Sequence, residues 1–161
     1  MNSRVGLGVD VHAFSEEGAG RRLILGGVEI PFERGLEGHS DADVLAHAVA
    51  DALLGAAGLE DIGHYFPDIV EHHKDADSIE LLHEVRVLVG EPWEIANVDA
   101  VVICERPKVK DYREAMRKNL AGALAVEPAR IGVRGTTTER LGFPGRGEGI
   151  AAQAVCLLER R

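Results

Sequence analysis

Cysteine is scarce in this sequence: there are two in 161 residues, Cys104 and Cys156. They stand far apart in apolar segments, with no CxxC pair and no companion histidines at zinc-finger spacing. That excludes a disulfide framework and a thiolate zinc module, and both read as reduced core residues. Positive charge is scarce too. Lys and Arg number 18 against 27 Asp and Glu, a formal net charge of -9, which excludes a surface built to neutralise nucleic-acid phosphates. An anionic substrate would need local helpers such as metal ions. No apolar run reaches the roughly 20 residues that span a bilayer, and Met1 leads directly into a strand-like pattern, so a cytoplasmic protein with neither membrane nor nucleic-acid partner is expected. A Walker GKT or GKS is missing, which makes nucleoside triphosphate hydrolysis a poor fit. There is no internal repeat, low-complexity tract or linker. With 45% hydrophobic residues the chain is expected to form one domain over residues 1–161.

What is there reads as alternating strands and helices. From Val5 to Val11 the odd positions Val5, Leu7, Val9 and Val11 are apolar, which predicts a strand with that face in the core. Two short apolar runs flank Gly26-Gly27 between Leu23 and Ile30, a hairpin pattern. Ser40 with Asp43 three residues on resembles a capping box opening an alanine-rich helix to about Leu54, before Gly55. Leu81, Leu82, Val85, Leu88 and Val89 repeat at helical spacing within Asp77 to Val89, and Pro92 prevents continuation. Val98 to Cys104 reads as a buried strand, Asp111 to Leu124 as a helix, and Ile131 to Thr136 and Ile150 to Leu158 as two more strands. This order predicts an α+β fold: a mixed β-sheet with helices packed on one face, in a two-layer sandwich.

Several residues carry chemistry. Asp10 and His12 are two apart on a strand, so both side chains leave the same face and can bind one ion, although Asp-x-His also occurs at ordinary strand ends. His47 lies in the alanine-rich helix with Asp43 and Asp51 one turn to either side, either of which could hold its second ring nitrogen; a half-exposed histidine between two solvated acids fits as well. Together Asp10, His12 and His47 would supply three ligands and leave a position open for a substrate oxygen. His39-Ser40 sits at the expected helix start, where free N–H groups favour phosphate; a plain Ser N-cap is part of the same reading. Thr136-Thr137-Thr138-Glu139 puts three hydroxyls and a carboxylate just past a strand, ahead of a stretch with Gly142, Gly145, Gly147 and Gly149 that also reads as a turn.

Taken jointly, these blocks resemble the 2-C-methyl-D-erythritol 2,4-cyclodiphosphate synthase family. The segments are Gly8-Val9-Asp10-Val11-His12-Ala13-Phe14, His39-Ser40-Asp41-Ala42-Asp43 with His47, Asp61-Ile62-Gly63, Phe66-Pro67-Asp68, and Thr136-Thr137-Thr138-Glu139-Arg140-Leu141-Gly142-Phe143 followed by Gly145-Arg146-Gly147-Glu148-Gly149. They run in family order over nearly the whole chain. The resemblance implies that Asp10, His12 and His47 bind a divalent metal, usually zinc, and that Glu139 helps hold a second ion, magnesium or manganese, on the substrate diphosphate. It implies that His39 and Thr137 stabilise the transition state. Substrate contacts are implied for Asp10, Val11, His12, His39 and Ser40, and on the methylerythritol phosphate side for Asp61, Ile62, Gly63, Phe66, Pro67, Asp68, Ile69 and Val70. Around the cytidine diphosphate they are implied for Cys104, Glu105, Arg106, Pro107, Lys108, Val109 and Lys110, and for Thr136, Thr137, Thr138 and Glu139, with Phe143 and Arg146 as further contacts. Two departures stand out: Val70 replaces an aspartate found in many relatives, and Leu7 stands where some have histidine near a trimer axis.

The implied assembly is a homotrimer with shared active sites, and the last strand, apolar on both faces except for Gln153, independently asks for a second covered surface. The implied reaction converts 4-diphosphocytidyl-2-C-methyl-D-erythritol 2-phosphate to the 2,4-cyclodiphosphate with release of CMP. Its 2-phosphate attacks the β-phosphorus, so positioning and charge neutralisation carry catalysis and no protein nucleophile is needed. Two other readings are a non-catalytic trimeric module binding metal or an isoprenoid diphosphate, and a metal-dependent phosphohydrolase; the latter lacks a clear general base for water.

Overall fold

The computed structural model describes residues 2–67 and 76–161. Strand β1 (Ser3–Ala13) comes first, followed by the short hairpin β2 (Leu23–Leu25) and β3 (Val28–Ile30). Helices α1 (Val44–Ala57), α2 (Ile62–Tyr65) and α3 (Ser78–Val89) precede strand β4 (Trp93–Ile103). Then come α4 (Arg113–Leu124), β5 (Ile131–Thr136), α5 (Gly142–Gly145) and β6 (Gly149–Arg160). Strands pair in the order β1-β6-β4-β5, antiparallel except for the parallel β4–β5 pair. The sheet is therefore mixed. Helices α1 and α4 cover one of its faces and α3 packs against both, giving the expected α+β layering.

Helix α1 is buried over most of its surface, because the sheet lies on one side of it and α3 on another. Its alanines let those neighbours approach closely. Asp43, not Ser40, is its N-cap and accepts the Ala46 N–H at 3.0 Å. Ser40 lies outside the helix, where its hydroxyl accepts from Ala42 N–H at 3.1 Å in a turn preceding the cap. Nor does the helix stop before Gly55. It runs on to Ala57, and Gly58, at φ 77°, supplies the left-handed stop with its N–H on the Gly55 and Leu54 carbonyls. A glycine inside a helix costs only about 1 kcal/mol, whereas one in the left-handed conformation after the last turn ends it.

A second correction concerns β1. The strand exists as expected, but Val5, Leu7, Val9 and Val11 face away from the helices and are 49–68% exposed, while Gly6 and Gly8 are buried. Helix α1 comes so near that face that only glycine fits, so the apolar pattern marks the uncovered side. Strand β4 starts at Trp93, earlier than expected, and is covered on one face only: Val98, Ala100 and Val102 are buried while Asp99 is exposed. The Gly26-Gly27 hairpin and α3 with its Asp77 cap fall where expected. Both cysteines are free and buried.

Candidate active site

Beyond Gly8 the helix-facing side of β1 continues with Asp10 and His12, and α1 brings His47 up to them. The Asp10 Oδ2 atom lies 2.9 Å from His12 Nε2 and 3.2 Å from His47 Nδ1, and the three ligand atoms lie within 4.8 Å of one another. Their side chains are 14–26% exposed, enough for a ligand to reach them. His12 donates its Nδ1 proton to the Glu37 carbonyl at 2.7 Å, so Nε2 carries a lone pair. That nitrogen is buried and makes no hydrogen bond: Asp10 is close, but off the hydrogen-bond direction. Burial alone would raise the Asp10 carboxyl, yet the imidazoles of His12 and His47 set against it outweigh burial and hold its pKa at about 2. Burial opposes protonation of His12, but the Asp10 carboxylate 2.9 Å away raises its pKa above the ordinary value. Converging acceptors that want positive charge between them, two imidazoles and one carboxylate, match the donor set of a divalent ion of zinc type.

The outer contacts differ from those expected. Neither Asp43 nor Asp51 holds His47. The Asp43 carboxylate is fully buried and takes the N–H groups of Gly26, Gly27 and Ala46 at 2.9, 2.7 and 3.0 Å, pinning the hairpin turn to the start of α1. The Asp51 carboxylate accepts the Ile62 N–H at 2.8 Å and so anchors α2. The ring nitrogen of His47 that they were expected to hold instead meets Ser78 Oγ at 2.8 Å. Ser78 is too far along the chain, and too ordinary a helix-start residue, for spacing to have exposed it.

A cleft of about 200 Å³ opens beside this group, lined by Asp10, His12, Gly38, His39, Ser40, His47, Ile62, Gly63, Phe66 and Leu81. Nε2 of His39 is buried and has no hydrogen-bond partner. The His39 loop is held from outside: the Arg21 guanidinium donates to the carbonyls of Leu36, Gly38 and Ser40, the last two at 3.0 and 2.6 Å. Asp61 caps α2 by accepting the His64 N–H at 3.0 Å. Of the expected contacts, Val11 points to the other face of β1, Pro67 ends the described stretch, and Asp68, Ile69 and Val70 lie outside the described residues.

A second cleft of about 310 Å³ is lined by Cys104, Pro107, Lys108, Val109, Lys110, Arg113, Gly135, Thr136 and Thr137. Three cations around it suit an anionic ligand on an otherwise acidic protein. Arg113, at the start of α4, was missed in the sequence, although it follows Lys108 and Lys110 closely. Glu105 braces the adjoining loop, its carboxylate taking the N–H groups of Thr138 and Arg140 at 3.1 and 3.0 Å; those bonds, the Arg140 one foremost, lower its pKa. Glu139 and Arg140 both have left-handed backbone, at φ 53° and 65°, and Thr137 Oγ1 donates to Glu139 Oε1 at 3.3 Å. Arg106 pairs with Glu33 at 3.2 Å, and Arg146 with Glu148 at 3.0 Å; Phe143 lies in α5. Among the described residues none lines both clefts, so the two are separate in the single chain.

The YgbB family model matches residues 3–159. The chain belongs to this family. Its relatives include 2-C-methyl-D-erythritol 2,4-cyclodiphosphate synthase of Rubrobacter xylanophilus, 74% identical over 157 residues, which cover 98% of this chain and 95% of that one. The synthase of Geobacter metallireducens is 57% identical, with 98% and 99% covered. Among solved structures, the CDP complex of IspF from Plasmodium falciparum superposes with a TM-score of 0.86 at 34% identity, covering 99% of this chain and 97% of that one. The bifunctional IspDF of Campylobacter jejuni reaches 0.93 at 46% identity; the match covers 99% of this chain and 42% of that longer one. A family shared over this length fits the architecture and the Asp-His-His group equally well.

Proposed function

We propose that the chain is a 2-C-methyl-D-erythritol 2,4-cyclodiphosphate synthase, a phosphorus-oxygen lyase that converts 4-diphosphocytidyl-2-C-methyl-D-erythritol 2-phosphate to the 2,4-cyclodiphosphate and releases CMP. The observation that carries this reading, alongside family membership, is the convergence of Asp10, His12 and His47 beside a cleft bearing the unpartnered His39 nitrogen. Asp10, His12 and His47 would hold zinc, and Glu139 a magnesium or manganese ion on the diphosphate. When bound, such ions offset the phosphate charges that otherwise keep the reacting groups apart. His39 and Thr137 meet phosphoryl oxygens. Ser40, Ile62, Gly63 and Phe66, with Asp61 as the cap of α2, frame the methylerythritol phosphate. The cleft at Cys104 to Lys110 takes the cytidine diphosphate, where Lys108 and Lys110 counter its charge and the loop from Thr136 to Thr138 closes one side.

The separation of the two clefts within one chain supports a homotrimer in which the cleft of one subunit faces the other cleft of its neighbour. The exposed apolar stripe of Val5, Leu7, Val9 and Val11, extended by Val155, supports it as well, since contiguous apolar surface marks an interface. No helix among the described residues is long and apolar enough to cross a membrane, and two free buried thiols suit a reducing cytoplasm. The deciding experiment incubates purified protein with the cytidyl substrate, zinc and magnesium, and reads products by mass and phosphorus NMR. Cyclodiphosphate and CMP in equal amounts are expected; an uncyclised product would make it a hydrolase, and no product a binding module.

A further inference from the structure

We propose that Asp41 and Ser78 are positioning residues that fix the tautomer and aim of His47. The inference rests on the metal-site reading above. Asp41 precedes α1, His47 lies one turn inside it, and Ser78 is the first residue of α3, so three separate segments meet at one imidazole. The Ser78 hydroxyl donates to Asp41 Oδ1. The other Asp41 oxygen takes the Ser78 N–H at 3.0 Å, and Oδ1 also accepts the Asp43 N–H at 3.1 Å. A carboxylate can only accept, so the direction of this chain of bonds is set at Asp41.

With its proton committed to Asp41, Ser78 Oγ has only lone pairs to offer His47 Nε2, 2.8 Å away. Nε2 is therefore the protonated nitrogen. Nδ1 then points a lone pair at Asp10 Oδ2 across 3.2 Å, and two acceptors held that close call for a cation between them. Ser40 Oγ, 3.5 Å from Nε2, is a marginal second acceptor. Ser78 is 1% exposed, so solvent does not readily replace it. Asp41 and Ser78 thus do for His47 what the Glu37 carbonyl does for His12, and both imidazoles present a lone pair to the same ion.

The test measures zinc affinity, by competition with a chromogenic chelator, for the wild type, Ser78→Ala, Ser78→Thr, Asp41→Asn and the double variant Ser78→Ala/Asp41→Asn. Absorption spectra of cobalt(II) bound to each report the ligand geometry. Ser78→Ala and Asp41→Asn should each lose about 10–100-fold in zinc affinity and alter the cobalt bands, while Ser78→Thr, which keeps the hydroxyl, recovers most of the loss. Asp41→Asn is the sharper variant: its amide can donate to Ser78 Oγ, turning that hydroxyl toward His47 and moving the ring proton to the wrong nitrogen. The double variant should lose no more than the worse single one, since the two act as a unit. Wild-type zinc affinity in Ser78→Ala or Asp41→Asn, additive losses, or losses that track unfolding of the metal-free proteins would each overturn the proposal. A wild type that binds zinc tightly yet releases no CMP would sink the synthase reading and leave this one standing. An active wild type beside a fully zinc-competent Ser78→Ala variant would do the reverse.

Discussion

A Cβ placed on Gly8 would fall 1.9 Å from the carbonyl oxygen of Ala48, and 2.6 Å from the Ala52 nitrogen. Gly6 stands in the same relation to Ala52, one turn further along α1. This closeness sets the distance from Asp10 and His12 on the strand to His47 on the helix. Gly8→Ala should therefore push α1 off β1, costing about 1–3 kcal/mol as overpacking does, and weaken zinc binding with it. Gly55→Ala is the control, because nothing lies within 4 Å of a Cβ there, and it should raise stability by up to ~1 kcal/mol. Denaturant melts and zinc titrations on both variants check this.

His12→Ala should lower metal content and CMP release together while the metal-free fold survives, because His12 contributes one ligand and a single bond to Glu37. His83→Ala, at an exposed position on α3, should change neither. Metal analysis and product assays on the two proteins decide it; a fully metallated, active His12→Ala chain would remove the assignment.

His39→Ala and Thr137→Ala should impair turnover by more than about tenfold, given the usual worth of one oxyanion donor, with small shifts in melting temperature. Each side chain borders a cleft and makes few bonds to the rest of the chain. Equal losses in stability and rate would instead assign a structural role.

Asp43 predicts a pH dependence. Burial, the largest influence, pushes its carboxyl up to about 6 from an ordinary 3.8, against the pull of its three N–H bonds. The folded state thus holds more protons than the unfolded state between about pH 4 and 6, so this group's contribution falls as pH rises through that window. Asp10, depressed to about 2, is already fully stabilising above its unfolded value and adds no slope there. Asp43→Asn orphans the Gly27 N–H and should be less stable throughout, but its deficit should shrink from pH 4 to pH 7 by on the order of 1–3 kcal/mol. Urea melts across that range measure it; a deficit that widens with pH would refute the sign.

Val9→Glu should leave the chain folded, because Val9 is 50% exposed in the single chain, yet abolish the proposed trimer and, with it, turnover by the active site proposed to lie between subunits. Light scattering and product formation are the readouts. A wild type that is monomeric at working concentration would overturn the assembly.

Much of this architecture was legible because periodicity reports on backbone geometry. The hairpin at Gly26-Gly27, helix α3 and strand β5 follow directly from local pattern. The face of β1 was misread because an apolar stripe usually means core, and nothing local says that a helix has been packed against glycines instead. The cap of α1 was misplaced because Ser40 and Asp43 are equally good capping residues, and the choice is made by the distant Gly26 and Gly27 amides. Asp10, His12 and His47 could be gathered from motif and spacing. Ser78, Glu37 and Arg21 could not, since their roles depend on contacts between segments far apart in sequence.

Strand β1 has two unlike sides, and a fixed register against β6, with Asp10 opposite Ala152 and His12 opposite Ile150, keeps them sorted. Losing or gaining one residue within the strand would trade the sides: valines would enter the metal cleft and the ligands would emerge on the apolar stripe. A change of two residues would restore the sorting while displacing the ligands along the sheet by about 7 Å. A one-residue insertion or deletion inside β1 is thus expected to cost both the cleft and the stripe at once, whereas a substitution on either side is felt on that side alone.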